Sequence, residues 1–222
     1  MIKVRRRAIV LASIAGLMAF AAVPVVHSET VVMPPTAEFA TIDVRLMNET
    51  LAVLAAGSSD DRSRAIEQVK ANPERYAPPV LYAMSQRLFQ AGEKDEGAFW
   101  FYAGQLRARF DANLCLDASA RSAVGVLNRQ YGLSINQYMF ANLEKLEALV
   151  PHVVEWDRKT PHAYDHRWIN LHGMSAARST LGDDKETEAL SVPKESWPAI
   201  EERTRVEYLS GFNQALAQMK KK

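Results

Sequence analysis

The sequence is poor in the features that announce chemistry. It has one cysteine, Cys115, in 222 residues, which excludes an intramolecular disulfide framework and a cysteine-based zinc cluster. Ten glycines and ten prolines give no collagen-like or linker-like character. Lys plus Arg number 27 against 26 Asp plus Glu, so there is no bulk positive charge to hold a nucleic acid. No glycine-rich phosphate loop and no Gly-x-Ser-x-Gly elbow is present. No stretch sustains the period-two alternation of a half-buried strand. With 48% hydrophobic and 24% charged residues, usage is that of a globular chain and not of a disordered one.

One long apolar run does occur, at the N-terminus. Lys3, Arg5, Arg6 and Arg7 form a positive region, Ala8 to Val23 follow without a charge, and Pro24 breaks the run before Val26-His27-Ser28. This order matches a secretory signal peptide cut after Ser28. The run is shorter than the roughly 20 residues a spanning helix needs, although Val25 and Val26 lengthen it, so an uncleaved inner-membrane anchor is the alternative. Cleavage would remove four basic and no acidic side chains and turn the formal +1 into −3. The expected location is the periplasm or the exterior, with no membrane contact after cleavage. A lone cysteine fits such an oxidising compartment if it is buried.

The remaining chain reads as an extended leader over residues 29–40 and one α-helical domain over 41–222. Pro34-Pro35 forbids a helix in the leader. Beyond it, apolar residues recur at spacings of three and four in about six to seven segments, which predicts an all-α bundle. Ser58 to Asp61 offers N-cap residues. Gly92 and Gly132 stand where helices are expected to stop, and Ser134 where the next begins. Ser196-Trp197-Pro198 opens a terminal helix, with proline in its first turn. Residues 160–195 are the least regular.

Residues 83–110 contain Ala91-Gly92 at a turn, Asp95-Glu96 at a helix start, and Gly97, Phe101 and Gly104 along that helix. This stretch resembles one helical hairpin of the tetratricopeptide family. Small residues let two helix backbones approach, and the aromatic fills the gap between them. Gly replaces the family's usual Ala at 97 and 104, and no second copy near a period of 34 is visible. The resemblance implies a protein-binding scaffold.

Two candidate sites follow. Phe99 to Tyr102 are four consecutive aromatics, so they must point around their helix. Phe101 is expected in the core, leaving Phe99 and Trp100, with Arg107 and Arg109, as candidates for partner contact. The histidines His152, His162, His166 and His172 all fall within a short span. His162 and His166 are four apart and would share a helical face. Together with Asp165 and His172 they could hold zinc or another divalent metal. The packing alternative is that Asp165, His166, Arg167 and Asn170 satisfy one another and loose backbone groups.

The expectation is therefore a non-catalytic exported protein that binds a protein partner and needs no cofactor. One concrete version is an immunity or inhibitor protein against a toxin acting in the periplasm. The alternative is a metal-dependent hydrolase using the 162–172 segment.

Overall fold

A computed structural model describes residues 37–181 and 189–221; the expected signal segment 1–28 lies outside them. Helix α1, Arg45–Ala56, and α2, Ser59–Ala71, are joined at Ser58. The Ser58 hydroxyl accepts from the Asp61 N–H, and the Asp61 carboxylate accepts from the Ser58 N–H. This reciprocal cap satisfies two otherwise free donors and fixes the start of α2. Helix α3, Pro78–Gln90, begins on a proline whose missing N–H costs nothing in the first turn. Helix α4, Lys94–Leu114, follows after a turn in which Gly92 takes a φ of 97°, a region open to glycine.

Helix α5, Ser122–Phe140, and α6, Leu143–Lys159, meet at Asn142, whose side chain caps the Lys145 N–H at 3.0 Å. The expected boundary at Gly132–Ser134 is corrected here. Gly132 is needed for packing: a Cβ there would lie 2.7 Å from the Phe101 ring. Pro151 is carried inside α6 on an exposed turn.

The described part of the irregular region is more regular than its sequence suggests. It holds a 3-10 helix, His166–His172, and a short α7, Met174–Thr180. Helix α8, Trp197–Met219, closes the chain from the expected Trp197-Pro198 start. Of the expected leader, 29–36 lie outside the described residues. Its last part is not extended: Ala37–Thr41 form a 3-10 turn. Phe39 anchors that turn in a small apolar cluster with Ile42, Ala176 and Leu190.

The architecture is all-α. Among the described residues the nearest thing to a sheet is an isolated bridge between Cys115 and Ser191. Helix α4 is the axis, packed against α3, α5, α6 and α8, and buried on nearly every side. Its aromatic and small residues face several neighbours at once, and its buried charges, Arg107 and Asp111, find partners inside the bundle. The α3–α4 hairpin closes as its small residues require. A Cβ on Gly97 would sit 2.8 Å from the Ser85 carbonyl oxygen, and one on Gly104 would sit 3.2 Å from the Leu81 Cβ. The described residues belong to one compact unit, residues 33–222. None of their helices is long and apolar enough to cross a membrane.

Candidate functional site

The most concentrated chemistry lies inside the bundle, where α4, α6 and α8 face one another. Asp157 of α6 is 2% exposed and Arg107 of α4 is fully buried. The Arg107 Nε donates to Asp157 Oδ1 at 3.1 Å, and the Arg205 Nε of α8 donates to Oδ2 at 2.9 Å. His162 Nε2 sits 2.9 Å from Oδ1. Arg107 also reaches the Thr160 carbonyl at 2.8 Å and lies over the Trp156 ring. Burial pushes the Asp157 carboxyl up, but His162 and the two guanidinium groups outweigh it and hold it below the usual range.

Beside this cluster lies a second buried carboxylate with the opposite balance. Asp111 of α4 accepts from Trp168 Nε1 at 2.7 Å and from the Tyr164 hydroxyl at 3.3 Å. Burial raises its carboxyl well above the usual range, and these hydrogen bonds do not offset that. Burial thus shifts Asp111 towards its neutral form, whereas the neighbouring cations shift Asp157 towards its anion.

The histidine segment does not assemble as a ligand set. His162 belongs to the Asp157 cluster. His166 Nε2 bonds the Ser191 hydroxyl at 2.8 Å, and burial lowers this imidazole to about 4. Asp165 takes the Arg167 guanidinium and the Asp43 N–H, and His172 packs its ring on Trp168. The segment does not form the shared helical face expected for His162 and His166, because the 3-10 helix starts only at His166. The His166–Ser191 pair lacks an orienting carboxylate among the described residues, since both Asp165 oxygens are taken up elsewhere. Packing contacts hold the segment in part: Asn170 Nδ2 ties down the Leu190 carbonyl at 2.7 Å, while Asn170 Oδ1 and His162 Nδ1 are buried without a hydrogen-bond partner among the described residues.

One trio of the described residues has the reach of metal ligands. Asp157, His162 and Glu201 place donor atoms within 4.8 Å of one another. Its two carboxylates already face guanidinium groups, with Arg205 also 2.5 Å from Glu201. A cation there would have to displace charges of its own sign.

The proposed partner-contact quartet is also divided. Arg107 is internal and cannot reach a partner. Trp100 is 6% exposed and packs with Phe99 against Trp156, at ring separations of 5.4 and 5.6 Å. Arg109 is exposed but faces α8, over the Tyr208 ring. Helix α4 sits at the centre, so its successive side chains point at different neighbours.

The exposed apolar surface lies elsewhere. On α5, Val126, Leu133 and Phe140 are 48%, 70% and 48% exposed. They are seven residues apart, two turns each, and so share one face. The opposite face of α5 carries the buried Ala123, Ile135 and Met139. The outward row was not among the sequence candidates. The signal for the outer one was an apolar residue every seventh position on a helix already supplied with a core stripe.

Fold and surface together describe an all-α bundle with a neutralised ionic core and an uncovered apolar face on α5. No protein-family model and no solved structure matches the chain. Over 100 residues it is 27% identical to an uncharacterized protein of Haemophilus influenzae, a stretch covering 44% of this chain and 39% of that one. The match thus spans well under half the length of that relative.

Proposed function

We propose that the protein is a non-catalytic, exported helical module that works by binding another protein. The observation that carries this reading is the exposed row Val126, Leu133 and Phe140 on α5. Large apolar side chains at two-turn spacing are a standard means of seating a helix face on a partner. The catalytic alternative has less support, because its four histidine-segment residues bond different neighbours. Export rests on the N-terminal sequence alone.

The most specific form of the reading is an immunity or inhibitor protein that blocks a toxin delivered to the periplasm. A deletion strain challenged with such a toxin tests it. Wild-type protein is expected to restore protection, and the Leu133→Asp variant is expected not to. Equal survival with and without the gene would overturn the immunity version. Equal protection by Leu133→Asp would overturn binding through α5.

A further inference from the structure

The α5 face is not uniformly apolar, and its one charge constrains what can cover it. Ser122, Val126, Arg129, Leu133, Gln137 and Phe140 recur at spacings of three and four and are all exposed. Arg129 is the sole charged residue of α5, which has no Asp or Glu. It lies between Val126 and Leu133 in the row and makes no ion pair among the described residues. Its guanidinium lies back over Gly125: a Cβ there would be 3.4 Å from Nη1.

We infer that this face seats an amphipathic helix of another protein whose apolar row is interrupted by a carboxylate opposite Arg129. The inference rests on the binding function proposed above and names the partner's chemistry. The row from Val126 to Phe140 is about 21 Å long at 1.5 Å per residue, the length of a four-turn helix. An apolar partner laid over it would bury Arg129 without a counter-charge, which is strongly unfavourable. A carboxylate at that point turns the penalty into a charge-assisted hydrogen bond and fixes the register.

Two other occupants fit less well. A second copy seated α5 on α5, antiparallel about Leu133, would set Arg129 opposite Gln137 and offer no acid. An anionic membrane would favour several cations beside the apolar row, yet Arg129 is the one charge on α5, with the uncharged Gln130 and Ser134 beside it.

The test uses the full chain and two synthetic amphipathic peptides with identical leucine rows. In one peptide a glutamate interrupts the row at its middle, and in the other a lysine takes that place. Fluorescence anisotropy is expected to show the glutamate peptide binding at least tenfold tighter, with the gap narrowing as salt screens it. Arg129→Glu should reverse the order, and Leu133→Asp should abolish both interactions while the melting curve stays unchanged. Equal affinity for the two peptides, or binding of neither, would overturn the inference. So would a Leu133-dependent dimer in sedimentation, or Leu133-dependent binding to phosphatidylglycerol vesicles. If the glutamate peptide fails while Leu133→Asp still abolishes protection against the toxin, only the partner chemistry falls. If Leu133→Asp leaves that protection intact, the binding function itself falls.

Discussion

Asp111 and Asp157 are both buried aspartates, and the same change at each is expected to have very different effects. In Asp157→Asn, one carboxylate oxygen becomes an NH2 group. That donor must face either Arg107 and His162, both on Oδ1, or Arg205 on Oδ2. Arg107, with its side chain 0% exposed, then loses its one carboxylate partner, while Arg205, 7% exposed, keeps Glu201 and Glu202. Breaking a buried pair in this way costs about 3–5 kcal/mol, a large share of the roughly 5–15 kcal/mol that holds a domain together. In Asp111→Asn, the amide oxygen can still accept from Trp168, and its NH2 can donate to the Tyr164 oxygen. The change should cost no more than about 1 kcal/mol. Urea unfolding followed by circular dichroism measures both.

The pH dependence separates the two further. Asp157 has a depressed folded value, so its stabilisation is present above its unfolded value and is lost as pH falls through the folded one, below about 4. Asp111 has a raised folded value, so wild-type stability falls as pH rises from about 4 towards that value. Asp111→Asn removes this slope and should gain on wild type as pH rises above about 4. Comparable losses for the two variants, or a loss below about 1 kcal/mol for Asp157→Asn, would refute the assignment of opposite shifts to the two carboxyls.

Other outcomes follow from packing and burial. Gly97→Ala should destabilise by about 1–3 kcal/mol despite better helix propensity, because the new Cβ meets α3 backbone. Gly211→Ala on α8, where a Cβ meets nothing, should stabilise by about 0.5–1 kcal/mol; thermal melts of the two variants check the contrast. Cys115, 1% exposed and with its thiol pushed up chiefly by burial, should resist a thiol reagent in the native protein and react once urea unfolds it. Rapid native labelling would contradict its burial. Elemental analysis of protein purified without added metal should find no stoichiometric zinc, since guanidinium groups already face the Asp157 and Glu201 carboxylates.

The helical class was legible because it is written in local spacing. Ser58 with Asp61, Gly92, and Trp197 with Pro198 each mark an end by chemistry acting over three or four residues. The α5–α6 boundary was not legible. Gly132 looks like a stop in sequence, but its lack of a side chain answers Phe101 on another helix. The candidate sites were drawn from the same local view. Histidines near one another in the chain invite a shared role, yet His162 turns to Asp157 and His166 to Ser191. Arg107 read as a surface cation because nothing local shows that Asp157 lies opposite it. The four aromatics from Phe99 to Tyr102 were a better clue than they looked. A helix with bulky apolar groups on every side can only be central.

The tie between α4, α6 and α8 also sets an order in time. Arg205 reaches back 48 residues to Asp157, and the Tyr208 hydroxyl reaches back 106 residues to the Tyr102 carbonyl. A chain emerging from its N-terminus therefore shows Arg107, then Asp157, well before the last helix that completes their charge balance. The face of α4 that α8 covers stays open for the same interval. Closure of that face therefore waits for α8.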